Sequence, residues 1–142
     1  MQKGVWYGTF GVFEDCTNLR EVVFRDDVLT SIGSSAFKEC SSLVNIRIPK
    51  SVQQVGTSAF YGCSSLAEIR FPENVRQIGS SAFAECTSLV QYDIDEPGED
   101  LIIGQSAFRG CSSLATITVP QRVTSLGSDA FKQCVGVKDI TL

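Results

Sequence analysis

The stretch Ile32–Pro49, IGSSAFKECSSLVNIRIP, decides the architecture because most of it returns at a nearly fixed interval along the chain. A shift of 23 residues gives Val55–Pro72, VGTSAFYGCSSLAEIRFP, and a further 23 gives Ile78–Ile94, IGSSAFAECTSLVQYDI. A shift of 25 gives Ile103–Pro120, IGQSAFRGCSSLATITVP, and another 23 gives Leu126–Leu142, LGSDAFKQCVGVKDITL. A period in the low twenties predicts a solenoid, in which each copy forms one coil.

The 142 residues are predicted to form one repeat domain of about six copies. An irregular first copy spans 1–24, and the later copies span 25–48, 49–71, 72–94, 95–119 and 120–142. The last copy stops on its strand, so we expect an uncapped end, in a chain that is a fragment or whose end is covered by a partner or by another copy of the chain. Trp6 and Tyr7 have no counterpart downstream; they are interpreted as a cover for the open end of the core, or as a contact with a preceding repeat or partner.

Each copy ends in a strand pattern. Leu43, Ile46 and Ile48 alternate with polar residues, which predicts a strand whose apolar side chains point inward. The segment KSVQQVG that follows is interpreted as a short return, with Val52 and Val55 as its buried side chains.

A turn pattern precedes each strand. Ala59, Phe60 and Cys63 have the spacing of one helical or 3₁₀ turn, and Thr57 and Ser58 are predicted as its N-caps. One copy alone cannot bury enough apolar surface to offset the entropy of ordering its backbone, whereas stacked copies can. Equivalent residues then form two buried columns: Phe13, Phe37, Phe60, Phe83, Phe108 and Phe131, and Leu19, Leu43, Leu66, Leu89, Leu114 and Val137.

The strand phrase L-x-x-I-x-I-P, the turn I-G-x-x-A-F and the link C-S-S-L together resemble the BspA-like leucine-rich repeats. The resemblance covers nearly the whole chain and implies an α/β solenoid: a right-handed coil with a parallel β-sheet on one face and short helical, 3₁₀ or irregular returns on the other. Members are similar to bacterial and protist surface proteins that bind host or matrix proteins, and others are intracellular or uncharacterised. The resemblance therefore implies an interaction scaffold without naming its ligand.

The bulk composition excludes several function classes. A net charge of −4 and a pI of about 4.8 argue against a nucleic-acid partner and against a polybasic membrane-binding patch. No apolar run approaches the roughly 18 residues of a membrane span, so no membrane insertion is expected. The chain contains no histidine, which removes Ser-His and Cys-His nucleophile pairs. We expect a protein that is not an enzyme and that holds no cofactor.

The cysteines occur once per copy in a single column: Cys16, Cys40, Cys63, Cys86, Cys111 and Cys134. Equivalent positions on stacked coils point their Cβ atoms in parallel, whereas a disulfide needs converging sulfurs. We predict six reduced, buried thiols that act as small apolar side chains. Disulfides and a metal site are the alternatives, the latter disfavoured because no C-x-x-C pair exists.

The outward residues of the strands form the candidate protein-binding face. Its members are Glu21, Asn45, Arg47, Glu68, Arg70, Gln91, Asp93, Thr116, Thr118 and Asp139. These residues form either a solvated face whose charges compensate one another, or a binding patch centred on Arg47, Arg70 and Asp93. Tyr92 replaces a core isoleucine and is predicted to be buried.

The step of 25 between Cys86 and Cys111 places two extra residues in the acidic segment DIDEPGEDLIIG. Its carboxylates could gather around Ca²⁺, but their spacing does not match the EF-hand pattern, and a solvated turn is the simpler interpretation.

Two functions remain open from the sequence. The first is a non-enzymatic recognition module whose sheet face or insert contacts another protein. The alternative is a structural subunit that contacts further repeats, or a larger assembly, through the solenoid ends. The resemblance favours the cell surface, whereas the absence of a signal peptide and the six predicted free thiols argue against it.

Overall fold

The structure, a computed structural model, describes residues 10–24 and 28–142. The predicted cover formed by Trp6 and Tyr7 therefore lies outside the described residues. Within these ranges all regular elements are short β-strands, and none is a helix that could span a membrane.

The strands fall into two sets on different sides of the coil, here called the front and back faces. The front strands are β1 (Glu21–Val22), β3 (Asn45–Ile46), β5 (Glu68–Phe71), β7 (Gln91–Ile94), β9 (Thr116–Thr118) and β11 (Asp139–Thr141). The back strands are β2 (Ser31–Ile32), β4 (Gln54–Val55), β6 (Gln77–Ile78), β8 (Leu101–Ile103) and β10 (Val123–Leu126). Every pairing is parallel and joins equivalent positions of neighbouring coils, which confirms the predicted parallel β-solenoid.

The continuous sheet lies on the back face. Its order is β2-β4-β6-β8-β10, whereas the front strands pair only as β1-β3, β5-β7 and β9-β11. The segment interpreted as a simple return thus contributes a rung to the longest ladder. Its strand is only two residues long, Gln54 pointing out and Val55 in, which is too short for an alternating pattern to be recognised.

The third side of each coil is an arch, defined as Ser35–Cys40 and its equivalents. The amides of Ser35 and Phe37 each donate to a carbonyl of the next coil at 2.8 Å. The intervening amides of Ala36 and Lys38 close turns within their own coil at 3.2 and 3.1 Å. The backbone amides of the arch therefore form hydrogen bonds alternately to the next coil and within their own coil.

This alternation requires left-handed backbone, and it replaces the predicted helical turn. Ser58 has φ 54° and Gly62 has φ 73°, and such residues cannot continue a right-handed helix. Thr57 and Ser58 are therefore not N-caps, because the arch that follows them consists of successive turns and not of a helix. Equivalent non-glycine positions also have positive φ: Asp15, Ser35, Glu39, Ser81, Glu85, Ser106, Asp129 and Gln133.

The glycine of the I-G phrase permits close approach of neighbouring coils. A Cβ atom added to Gly79 would lie 2.6 Å from the carbonyl carbon of Gly56. That distance is too short for backbone to tolerate, so the glycine column sets how closely the coils stack at this corner.

The phenylalanine column forms a continuous ring stack through the core. Phe83 lies between Phe60 and Phe108 with ring centroids 5.0 and 5.5 Å apart, and Phe71 contacts its edge at 5.3 Å. Phe83 is fully buried. The predicted column is therefore confirmed at its centre, whereas Phe13, at the start of the column, is 38% exposed.

Substitution Phe83→Ala removes the centre of this stack and leaves a cavity that neighbouring rings, held by their own coils, cannot fill. We expect the free energy of unfolding, measured by urea denaturation, to fall by about 3–5 kcal/mol. The control is Phe10→Ala, because Phe10 is 73% exposed. Equal stability losses in the two variants would contradict the stacked core.

Candidate functional site

The cysteine column is the first candidate for chemistry, and the structure gives it a backbone role. All six thiols are unpaired, as predicted, and five are buried. Cys16 is exposed, so the prediction of six buried thiols is wrong at the first copy. The Cys63 thiol donates to the Phe37 carbonyl of the preceding coil at 3.2 Å. Each of the other four buried cysteines donates in the same way to the phenylalanine carbonyl of its preceding coil, at 3.1–3.2 Å. Each thiol therefore links two coils.

Burial keeps these thiols protonated. It raises the pKa of Cys40 to about 11, and it raises the pKa values of Cys63 and Cys111 further. Cys86, in the middle of the column, is shifted in the same direction by the same cause. A thiolate is the nucleophilic form, so these residues are structural donors. The described part of the chain also contains no cluster of three or more metal-ligating side chains.

The buried thiols make stability pH-dependent. Their folded pKa values lie above the ordinary 9.0, so the unfolded chain loses protons first, and stability falls as pH rises above about 9. Cys86→Ala should make this decline shallower by about 1 kcal/mol per pH unit, measured by urea denaturation between about pH 8 and pH 10. If the stability of the parent and of the variant fell with pH at the same rate, the buried thiol of Cys86 would not be the cause of the decline.

The residues of the predicted protein-binding face lie in two exposed columns along the front side. All ten residues are exposed. The pairing sets Glu21 beside Asn45 and Arg70 beside Asp93. The remaining neighbours in register are Glu68 with Gln91, Thr116 with Asp139, and Thr118 with Thr141.

A groove of about 390 Å³ opens where the front ladder is interrupted between β3 and β5. Its walls carry Arg47 and Lys50 from one coil, Arg70 from the next, and Asp93 and Asp95 from the third. A second groove, of about 380 Å³, continues on the other side of Arg47 toward β1. Arg47 therefore stands between two concavities of the front face.

The charges in the groove are only partly paired. Arg70 donates from Nε to Asp95 at 2.7 Å. Gln91 donates to Glu68 at 3.1 Å. Arg47 makes no ion pair within the described ranges 10–24 and 28–142.

The second interruption of the front ladder, between β7 and β9, is closed by Tyr92. Its hydroxyl donates to the Thr118 carbonyl at 2.7 Å and accepts from the Thr118 amide at 3.1 Å. Its ring stacks on Phe108 at 5.0 Å and is buried, as predicted. Burial raises the pKa of Tyr92 to about 12, so the hydroxyl remains a donor. The β3–β5 interruption has no such bridge and stays open.

A family model for the BspA type leucine rich repeat region matches residues 9–138 in six copies. The chain belongs to this family. No curated protein sequence matches it.

Solved structures show the same fold. A leucine rich cell surface protein from Faecalibacterium prausnitzii is 32% identical with a TM-score of 0.80, over 90% of this chain and 34% of that protein. A T. pallidum leucine rich repeat protein is 34% identical with a TM-score of 0.76, over 86% and 57% of the two chains. One from Bacteroides ovatus is 28% identical with a TM-score of 0.64, over 94% and 40%. The chain thus spans between a third and somewhat more than half of these relatives' length.

The acidic insert departs from the regular BspA-type repeat in two places. Ile94 and Leu101 are seven positions apart, whereas their equivalents Phe71 and Val75 are four apart. The segment Leu101–Ile103 is one residue shorter than its equivalent 75–78, and β8 pairs with β10 through an irregularity between Val123 and Ser125. Three added residues and one lost residue give the net insertion of two.

Arg122 anchors this insert, a role the sequence interpretation missed. Its guanidinium is buried and donates to four backbone carbonyls: Asp95 at 2.8 Å, Glu99 at 2.6 Å, Val75 at 3.0 Å and Pro72 at 3.1 Å. Burial lowers the pKa of Arg122, while the carboxylates of the insert oppose that shift. The acidic segment is therefore tied to the solenoid through its backbone.

Earlier coils show the short form of the same contact. Ser51 donates to the Leu29 carbonyl at 2.6 Å, and Asn74 donates to the Lys50 carbonyl at 2.8 Å. Arg122 occupies the equivalent position. The sequence did contain a signal for this role. Arg122 is a long cationic side chain in a column that otherwise holds the short polar residues Ser51 and Asn74, and it follows the irregular step of 25 between Cys86 and Cys111.

Substitution Arg122→Ser restores the residue of an earlier coil, but its hydroxyl is too short to reach across the insert. We expect the free energy of unfolding, measured by urea denaturation, to fall by about 2–3 kcal/mol, because buried carbonyls lose their hydrogen-bond donor. Cleavage by a glutamyl endopeptidase after Glu99 should become faster.

The control is Arg109→Ser, since that side chain donates only a 3.4 Å bond to exposed Gln133. It should change stability by no more than about 0.5 kcal/mol. Unchanged proteolysis of the Arg122→Ser variant would show that the insert does not depend on this anchor.

Proposed function

We propose that the chain is a non-enzymatic protein-recognition module that contacts its partner through the front face. The observation that carries this proposal is the open groove between β3 and β5, flanked by the exposed side chains of Arg47 and Arg70. Solenoids present such extended faces to their partners. The ten residues of the candidate face are all exposed to solvent.

The groove also has the chemical character of a contact site. Arginine is enriched among residues that dominate binding energy, because its planar group forms several directed hydrogen bonds. The Arg70 side chain is 72% exposed yet held by Asp95, so less conformational freedom is lost on binding. Ile48 and Ile69 form a buried apolar floor beneath these charges.

A cell-surface location is supported by the F. prausnitzii relative, whose description names a cell surface protein. The composition of the face argues against an enzymatic role. It consists of arginines, carboxylates, amides and threonines; it contains no histidine, and the five buried cysteines are not accessible from it. Binding, and not bond-making, is the function that this set of groups supports.

The alternative is a structural subunit, or a fragment of a larger assembly, that contacts its neighbours through the solenoid ends. One observation favours it: Val135, Ile140 and Leu142 are 80%, 60% and 91% exposed on the coil 120–142. Clustered exposed apolar side chains mark contact surfaces. In this case the front groove would remain empty in the assembly.

Affinity capture from an extract of the source organism distinguishes the two. The test variant is Arg47→Glu, Arg70→Glu, Asp93→Lys, and we expect it to lose a protein that the parent retains. A matched variant on the arch, Arg109→Glu, Lys132→Glu, Asp129→Lys, changes net charge equally and should retain that protein. Retention by all three, together with self-association in size-exclusion chromatography, would reject the front-face proposal and favour assembly through the coil end.

A further inference from the structure

Resting on the proposed function, we propose that the second groove, which lies toward β1, receives an aromatic side chain of the partner that carries a hydrogen-bond donor, a tryptophan or a tyrosine. This groove has a volume of about 380 Å³ and is lined by β1, β3 and the residues that follow them. Because β1 and β3 are paired with each other, a side chain enters the groove from solvent and separates no coils. Three features of the lining favour such a side chain: exposed apolar surface, a guanidinium and a carboxylate.

The apolar part of the lining follows the two strands. Val23 is 76% exposed, although the equivalent positions of the next two coils hold Arg47 and Arg70. Phe24 and Pro49 extend the apolar surface beside it. A polar segment would leave this surface in contact with water, whereas the face of an aromatic ring covers it.

Arg47 supplies a cation next to this apolar surface. The register of β1 and β3 makes Val23 and Arg47 neighbours, and both line the groove. Within residues 10–24 and 28–142, no ion pair or hydrogen bond engages the Arg47 guanidinium. A guanidinium stacks on the face of an aromatic ring, because the negative face of the ring attracts it. A ring that packs on Val23 can therefore contact Arg47 as well.

The acidic residues of the lining favour a ring with a donor. Glu21 and Glu68 both line the groove and both are exposed. Glu68 accepts a hydrogen bond from Gln91 at 3.1 Å, whereas nothing engages the Glu21 carboxylate within the described part of the chain. The indole N–H and the phenol O–H can donate to a carboxylate, which phenylalanine cannot do. With two carboxylates and one guanidinium, the lining also disfavours an acidic ligand.

The β3–β5 groove lacks this combination. Its apolar residues Ile48 and Ile69 are buried, and its Arg70 is engaged by Asp95. Arg47 lines both grooves, so its loss affects contacts in each of them. Glu21 lines only the second groove and reports on the aromatic side chain alone.

The test uses N-acetyltryptophanamide, N-acetylphenylalaninamide and N-acetylleucinamide as probes. Each is titrated into the chain with isotope-labelled valine methyl groups and followed by NMR. A ring stacked on Val23 shifts the Val23 methyl resonances upfield through its ring current, which the leucine probe cannot do. We expect the tryptophan probe to bind in the millimolar range with this shift, the phenylalanine probe to bind more weakly, and the leucine probe to bind least.

Two variants separate the cation from the carboxylate. Arg47→Gln should weaken the binding of both aromatic probes about two- to fivefold. Glu21→Ala should weaken the tryptophan probe about two- to fivefold and leave the phenylalanine probe unchanged, because only the indole donates. The matched controls are Arg109→Gln on the arch and Asp139→Ala on the last front strand, and neither should change the affinity for any probe.

Several outcomes would overturn the proposal. These are a Val23 resonance that no probe shifts, a leucine probe that binds as well as the tryptophan probe, and equal effects of the groove and control variants. Tryptophan binding that is insensitive to Glu21→Ala would overturn the requirement for a donor. If the probes fail while affinity capture still shows a protein lost on the front-face variant, the proposed function stands without this aromatic contact.

Discussion

The alternating amides of the arch fix the separation and register of neighbouring coils. Because every second N–H donates forward at 2.7–2.9 Å, the arch behaves as a ladder although its backbone is not extended. The phenylalanine rings can then stack at 5.0–5.5 Å, and each buried thiol reaches the carbonyl of the preceding coil. Left-handed residues such as Ser58 cost about 1–2 kcal/mol each and persist because these bonds hold them.

The arch and the back sheet tie all the coils together on two sides, whereas the front ladder is interrupted twice, and individual side chains decide the shape of each interruption. Where Tyr92 bridges to the Thr118 backbone, the front face is closed. Where Arg47 and Arg70 project, it remains open. The same repeat therefore supplies both a rigid frame and a surface whose shape depends on single substitutions.

The recurring phrases were sufficient to predict the solenoid, its parallel strands, its phenylalanine column and its exposed front columns. They could not show the left-handed arch, because a spacing of one and four residues fits a helical turn equally well, and only the bonds between coils favour turns. The back sheet escaped notice because each strand, such as Gln54–Val55, is too short for periodicity. The role of Arg122 could not be predicted because its guanidinium bonds to carbonyls as far away in sequence as Pro72, 50 residues earlier, and no local pattern encodes such a contact. The bond from Arg70 to Asp95 likewise joins residues 25 positions apart, which no local pattern encodes.

All forward-donating amides of the arch point the same way, from Gly11 to Gly110. On the back face the amides of Gly56, Gly79, Gly104 and Gly127 donate the other way, to the preceding coil at 2.8 Å. Each coil is therefore held by two opposed sets of hydrogen bonds on two of its sides. A one-residue shift of one coil against its neighbour would break both sets at once, so the registry of the coils is all-or-none.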